Sequence, residues 1–320
     1  MIALNSLLVR CKMEHIEPTG ICTATELMEM SFPPPEWLIN ELLPEGLTVL
    51  SGAPKIGKSW LSLQIALAVT TSSPLFGRKP PSDKHVLLLA LEDNERRLQD
   101  RITKCRIAPS DKLNLTTRWD IGIPGLKDFL LEHPEIGLCI IDTLAVFSPS
   151  QDAKGRNVYD ADVARMRQLH ELGRDTNASL LLIHHDKQGE DSDWANKMNG
   201  SNGIIGTADT LIRLSVQKRG SKQGKLEVTG RDVEDVALNL KLNKEIMHWE
   251  IDKSQDDSQL TALQKSVLEL VLPVPASIRS ITIAQKLGKE QSQISDILKK
   301  LTNRGYIFSP DYSEYSQTTS

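Results

Sequence analysis

The sequence predicts an α/β fold: a central, mostly parallel sheet with an antiparallel extension, followed by a small winged helix-turn-helix domain. Three observations predict it. Between Leu47 and about Thr207, short apolar runs alternate with longer amphipathic stretches, the rhythm of repeated strand–helix–strand units. Runs such as Val86-Leu87-Leu88-Leu89-Ala90-Leu91 are apolar at every position, as strands covered on both faces must be. Beyond Thr207 strands follow one another without helices, and beyond a polar stretch at Asp252–Ser258 the period becomes helical again.

The elements follow in order. Residues 1–31 are mixed in character and form an N-terminal arm, a candidate subunit-packing segment. Pro33-Pro34-Pro35 offers no amide donors and favours an extended lead-in. The core domain is expected over residues 32–251. Its strands are read at Leu47–Ser51, His85–Leu91, Leu138–Asp142 and Ser179–His184, and its helices at Lys58–Val69, Asn94–Cys105 and Val158–Asp175. The antiparallel strands are read at Asp209–Val216, Lys225–Thr229, Val236–Leu242 and Ile246–Ile251, with turns at Arg219-Gly220 and Gly224. A linker at 252–259 leads to the tail domain, 260–320. There Leu260–Leu272, Ile281–Leu287 and Glu290–Asn303 read as helices, Gly305 as a stop, and Tyr306–Phe308 as the start of a wing.

Composition sets limits on function. The chain has 320 residues, and its 38 Lys+Arg against 42 Asp+Glu leave a net charge of −4, which excludes a protein that coats nucleic acid by charge alone. Aromatic residues are only 4%, too few for a broad base-stacking platform. No apolar run reaches the roughly 18–20 residues that cross a bilayer, and Met1–Gly20 lacks the pattern of a signal peptide, so no membrane association is expected. Cys11, Cys22, Cys105 and Cys139 show neither close pairing nor zinc spacing; they read as reduced thiols, and the location as cytoplasmic.

One motif fixes the chemistry. Gly52-Ala53-Pro54-Lys55-Ile56-Gly57-Lys58-Ser59 matches G-x-x-x-x-G-K-[ST] between a strand and a helix. The glycines let the backbone curl so that amides face phosphate oxygens, and the helix adds the positive end of its dipole. Lys58 is expected to reach the β- and γ-phosphates and Ser59 to hold Mg²⁺, with Trp60 next to them. The cofactors are therefore ATP and Mg²⁺. At the end of Leu138-Cys139-Ile140-Ile141-Asp142, Asp142 is the second candidate metal residue. Glu92, ending the strand His85–Leu91, is the candidate general base, with Asp93 as its substitute or supporting partner; the alternative is that Glu92 caps the following helix. Behind Leu180–Ile183 stand His184-His185-Asp186-Lys187. Adjacent strand residues face opposite ways, so joint chelation by the two histidines is disfavoured. His185 is the preferred γ-phosphate sensor, against a core or metal-binding role.

With these four elements in order, the chain resembles the RecA/DnaB class of ATPases, and more closely the RepA-like hexameric helicase family of plasmid and phage replication. The resemblance runs from about Phe32 to Ile251. It rests on Phe32-Pro33-Pro34-Pro35-Glu36-Trp37-Leu38, the Gly52–Ser59 motif, Ala90-Leu91-Glu92-Asp93, Ile140-Ile141-Asp142-Thr143 and Ile183-His184-His185-Asp186-Lys187. It implies a RecA-like core and an ATP site between subunits of a homo-oligomeric ring. It also implies an arginine finger supplied by the neighbour: in Leu226-Glu227-Val228-Thr229-Gly230-Arg231-Asp232 this is Arg231, the alternative being a turn-capping pair with Asp232. Many DnaB-like proteins carry a lysine where Thr229 stands, so a second cation has to come from elsewhere; Lys225 and Arg213 are candidates.

The resemblance also implies channel loops that meet single-stranded DNA. Here they are Ser148–Asn157, with Lys154 and Arg156, and Lys187–Gly206, with Lys187, Lys197, Gly200 and Ser201, although Glu190, Asp191 and Asp193 would repel phosphates. In the tail, Gln291 and Gln293 fall at the start of the recognition helix, and Lys299 and Lys300 nearer phosphates. From Thr261 onward seven Lys+Arg face five Asp+Glu, a weak excess, so the tail is read either as a duplex-DNA reader or as a protein-docking module. The implied function is an ATP-hydrolysing ring motor that translocates on single strands and unwinds duplex DNA. The alternative is an ATP-switched initiator, loader or regulator. The length leaves no room for a fused primase, so a separate primase or initiator is expected as partner.

Overall fold

The computed structural model describes residues 22–32, 34–106, 108, 110–148, 158–185, 202–218, 220–252, 261–272, 277–303, 306–311 and 314–317. The chain divides into two compact units, Met1–Glu36 and Trp37–Ser320. In the first, helix α1 (Ala24–Glu29) is closed by a capping box: the Glu26 amide donates to Thr23 Oγ1 at 3.2 Å, and the Thr23 amide to Glu26 Oε2 at 2.6 Å. None of the helix's residues is buried.

The second unit opens with a short antiparallel pair, β1 (Trp37–Ile39) and β2 (Leu43–Pro44). It then builds one nine-stranded sheet. In chain order the elements are β3 (Leu47–Ser51), α2 (Lys58–Thr71), β4 (His85–Ala90), α3 (Glu95–Cys105), β5 (Leu113–Thr116), α4 (Gly122–Glu132), β6 (Ile136–Asp142), α5 (Leu144–Phe147), α6 (Val158–Thr176), β7 (Ser179–Ile183), α7 (Asn202–Thr207), β8 (Thr210–Val216), β9 (Gln223–Gly230), β10 (Val236–Asn243) and β11 (His248–Ile251). The strand order is β11-β10-β9-β8-β3-β7-β6-β4-β5. Pairing is parallel from β5 through β8 and antiparallel from β8 to β11.

The all-apolar strands follow from this arrangement. Alternate residues enter two cores, one on each face of the sheet. Leu50, Val86, Leu88, Leu138, Ile140 and Leu181 pack on one side with α2. Val49, Leu87, Leu89, Cys139, Ile141 and Leu180 pack on the other with α4 and α6. Helix α2 is buried around most of its circumference, whereas α3 buries only Leu98 and Cys105.

Strand directions decide what shares an edge. β3, β4, β6, β7, β8 and β10 all run the same way, so their C-terminal ends line one edge of the sheet. The β8–β9 and β10–β11 turns lie on that edge, and the β9–β10 loop, residues 231–235, lies on the opposite one.

The tail comprises α8 (Ala262–Val271), β12 (Ile278–Arg279), α9 (Ser280–Leu287), α10 (Gln291–Asn303), β13 (Ile307–Asp311) and β14 (Glu314–Gln317), with β14 central in a three-stranded antiparallel sheet. Val267, Ile283, Ile294, Leu298 and Leu301 form its core. Among the described residues, Arg78 and Lys299 tie it to the preceding α/β part of the same unit. Arg78, almost fully buried, donates from Nη2 to the Thr302 carbonyl at 2.9 Å, in the last turn of α10. A guanidinium there also favours the negative end of the helix dipole. Lys299 forms an ion pair with Glu234, in the β9–β10 loop. Among the described residues no helix is long and apolar enough to cross a membrane.

Candidate nucleotide site

The loop from Gly52 to Gly57 leaves β3 and turns into α2 at the C-terminal edge of the sheet. Its path needs glycine at both ends. A Cβ at Gly52 would stand 2.4 Å from the Leu214 carbonyl oxygen. Gly57 is the N-cap of α2 with φ +103°, and a Cβ there would meet the Trp249 indole at 3.1 Å. Trp249, fully buried on β11, supports this turn from beneath: its Nε1–H donates to the Gly57 carbonyl at 3.4 Å. Gln64 on α2 locks the same strand, giving Nε2–H to the Trp249 carbonyl and accepting its amide, both at 3.0 Å.

Lys58 is buried, and its ammonium is folded back onto the loop. Nζ donates to the carbonyls of Gly52 at 2.7 Å and Ala53 at 2.9 Å, and lies 2.9 Å from His185 Nδ1. An ammonium only donates, so Nδ1 accepts and the His185 proton sits on Nε2. That nitrogen faces Glu92 Oε1 at 3.5 Å, and the same carboxylate accepts a hydrogen bond from Thr143 Oγ1 at 2.9 Å. Lys58, His185, Glu92 and Thr143 thus form one polar line across the ends of β3, β7, β4 and β6.

Asp142, at the end of β6, is 5% exposed, and its peptide bond to Thr143 is cis. Burial pushes its carboxyl up to about 6; a hydrogen bond with Ser59 opposes this, Glu92 and Asp93 add to it, and Arg101 pulls it down. Its Oδ1 is buried without a hydrogen-bond partner. A desolvated carboxylate with an orphan oxygen beside the Ser59 hydroxyl fits a hard divalent cation. Among the described residues no group of three or more His, Cys, Asp or Glu could hold a metal ion. The remaining ligands of a Mg²⁺ would then be phosphate oxygens and water.

The line opens into a cleft of about 520 Å³. One wall is Pro54 to Trp60, one end is Glu92, Arg101 and His185, and the other end is Val216, Gly220, Ser221, Leu242, Lys244 and Met247 from the two hairpin turns. The structure therefore brings Lys58, Ser59, Glu92, Asp142 and His185 together, as the sequence predicts.

Three details refine the sequence reading. Asn94, whose side chain accepts the Arg97 amide at 2.9 Å, caps α3, so Glu92 is not the cap. Asp93 is nearly buried between Arg101 at 2.6 Å and Arg97 at 3.5 Å, which makes it a supporting partner. Arg231 pairs with Asp209 at 3.3 Å, not with Asp232. The register Thr210↔Gly230 explains this, because it sets Asp209 beside Arg231 across the pair. Asp209 also accepts the Leu47 amide at 2.9 Å and lies 3.1 Å from His170. Six residue steps separate Val216↔Gly224 from Thr210↔Gly230; at about 3.3 Å each, Arg231 stands about 20 Å along the sheet from the cleft edge.

Sequence reasoning missed Thr143, Arg101, Trp249 and the hairpin wall. A signal for Arg101 was present: Asp93, Arg97 and Arg101 recur at four-residue steps, one face of a helix. Lys154, Arg156, Lys187, Lys197, Gly200 and Ser201 lie outside the described residues. Gln291, Gln293 and Lys300 are exposed on α10, while Lys299 is engaged by Glu234.

A phosphate-binding loop opening a buried helix, with carboxylates ending two nearby strands of a mostly parallel sheet extended by an antiparallel meander, defines a P-loop ATPase core of the RecA type. The chain belongs to the AAA-domain family, whose sequence pattern matches residues 17–191, more than half of its length. Two solved structures share the fold at 13% identity. One, an ATPase domain, superposes with a TM-score of 0.54 over 78% of this chain and 98% of its own. The other, a DnaB-like replicative helicase solved in a study of its interactions with primase, superposes at 0.53 over 78% and 67%. No curated protein matches the sequence.

Proposed function

We propose that the chain is an ATP-driven motor on single-stranded DNA, acting as a homo-oligomeric ring, most simply a hexamer, in the replication of a plasmid, phage or mobile element. The observation that carries this reading is the division of the site between two sheet edges. Lys58, Ser59, Glu92, Asp142 and His185 meet at one edge, while the only arginine that the family resemblance offers as a finger, Arg231, lies about 20 Å away along the sheet. It cannot serve its own cleft, and its side chain, paired with Asp209, is exposed, so it can reach a neighbour's.

In this reading Lys58 exchanges its loop carbonyls for the β- and γ-phosphates. Ser59 and Asp142 hold Mg²⁺, which would supply charge neutralisation at the phosphates. Glu92 orients the attacking water and takes its proton as ATP becomes ADP and phosphate. His185, between Lys58 and Glu92, reports the γ-phosphate to the loop that follows it. Arg231 from the adjacent subunit stabilises the transition state, worth about 10³–10⁵ in rate in NTPases of this kind. The loops carrying Lys154, Arg156, Lys187, Lys197, Gly200 and Ser201 track the strand, and a separate primase or initiator supplies priming and targeting. The test is a forked duplex: strand separation with ATP, absent in Lys58→Ala, supports the motor; ATP hydrolysis without single-strand binding or strand separation contradicts it.

A second reading has its own observation. In the tail, read as a winged helix, α10 is anchored to the core by its C-terminal turn through Arg78 and Lys299, while Gln291 and Gln293 at its start are exposed. This suits a nucleotide-switched module that docks on duplex DNA. Sequence-specific duplex binding by the full chain, with turnover indifferent to single strands, favours it.

A further inference from the structure

The edge of the sheet opposite the cleft carries a second polar cluster, built around Asp209. This residue stands between α7 and β8, beside the start of β3. Its carboxylate is held from three elements. Oδ2 accepts the Leu47 amide at 2.9 Å, at the first residue of β3, and His170 Nε2, on α6, lies 3.1 Å from the same oxygen. Oδ1 accepts from Arg231 Nη1 at 3.3 Å, and the Arg231 amide donates to the Asp209 carbonyl at 3.0 Å. The carboxylate is also packed against the Gly46 backbone, where a Cβ would come within 2.8 Å of Oδ2. The Asp209 side chain is 18% exposed, that of Arg231 63%.

We propose that Asp209, braced by Leu47 and His170, is the positioning residue of Arg231: it fixes the guanidinium on its own subunit in the orientation in which the neighbour's cleft receives it. The assignment rests on the reading of Arg231 as a finger supplied in trans. Three arguments support it. An ion pair between two loose surface side chains holds neither in place; here one partner is fixed before pairing, so only Arg231 remains to be ordered. A guanidinium has five donors in a planar fork, so a contact at Nη1 sets the plane and leaves other N–H groups to meet phosphate oxygens. Finally, the brace leads to the nucleotide loop. Leu47 begins β3 and Ser51 ends it, next to Gly52, so the arginine offered to one interface and the loop used at the other are tied to opposite ends of one five-residue strand. A finger without this brace is expensive, because misplacement by about 1 Å can lower a rate about 10²-fold.

The experiment measures ATP turnover and nucleotide affinity of the full chain in Asp209→Asn, alone and in mixtures. Asparagine still accepts the Leu47 amide but cannot form an ion pair with a guanidinium. Turnover should fall about 10- to 100-fold while affinity for a non-hydrolysable ATP analogue stays within about twofold. Mixing with Lys58→Ala, whose finger is intact, should restore turnover; mixing with Arg231→Ala, whose finger is absent, should not. His170→Gln should give a smaller loss with the same pattern, and it carries the test where the asparagine variant does not fold. Undiminished turnover overturns the proposal. So does a loss that Lys58→Ala fails to restore although it restores Arg231→Ala, the mark of a residue that serves its own subunit's fold or cleft. If Lys58→Ala fails to restore Arg231→Ala as well, the trans reading of Arg231 falls and the proposal with it.

Discussion

Replacing Asp142 by asparagine separates what this carboxylate costs the fold from what it does for the site. Its carboxyl sits at about 6 in the folded chain against an ordinary 3.8. A raised value means that the folded state holds the proton more tightly than the unfolded one. Ionisation therefore costs stability above about pH 6, and the cost disappears as pH falls below 3.8. At about 1.4 kcal/mol per pH unit, the cost is about 3 kcal/mol near pH 7.5 and roughly half that near pH 5. Asparagine is neutral at both, so Asp142→Asn removes this dependence. Urea unfolding without nucleotide or Mg²⁺ should show wild type gaining on the order of 1 kcal/mol on the variant as the pH falls from 7.5 to 5. The variant should also lose Mg²⁺-dependent hydrolysis. A stability difference that stays flat with pH, or a variant that keeps Mg²⁺-dependent turnover, would refute the account of Asp142.

Other substitutions test other parts. Glu92→Gln keeps the Thr143 hydrogen bond but cannot take a proton; nucleotide affinity should stay within about twofold while turnover falls about 10²- to 10⁴-fold in single-turnover assays. Lys58→Ala and Arg231→Ala should each abolish turnover alone, yet a mixture of the two should recover activity, because some interfaces then combine an intact loop with an intact finger; a mixture as inactive as its parts argues against a shared site. Arg78→Met removes the charged donor to the Thr302 carbonyl, so amide exchange at Lys300–Asn303 should accelerate about 10- to 100-fold while α2 is unaffected; equal acceleration in both would mean general destabilisation.

The sheet was legible wherever burial on both faces forced an all-apolar run. β3 matches its expected span, and β4, β6 and β7 differ by one or two residues. What escaped was short or locally contradictory. β5 is a four-residue edge strand, none of it fully buried, so it carries no strong pattern. α4 begins Gly122-Ile123-Pro124-Gly125, which reads as a turn, although proline is tolerated in a first helical turn. The last strand starts at His248 rather than Ile246 because Met247, with φ +53°, completes the preceding turn. Of the polar line, Lys58 was legible from the Gly52–Ser59 motif, and Glu92 and His185 because each follows a recognisable strand; Thr143 was missed. The hairpin wall was not: Val216, Leu242 and Met247 meet only through the meander's register. Asp209 likewise meets Arg231 across a strand pair, where the alternative sequence reading had paired Arg231 with the adjacent Asp232.

The −4 net charge is compatible with a nucleic-acid motor if a ring repeats a few channel lysines around one axis. The ring is therefore the claim on which the account turns. The most direct test is the mass of the particle formed with a non-hydrolysable ATP analogue and single-stranded DNA. A closed assembly of six chains is predicted; a monomer under those conditions would contradict it.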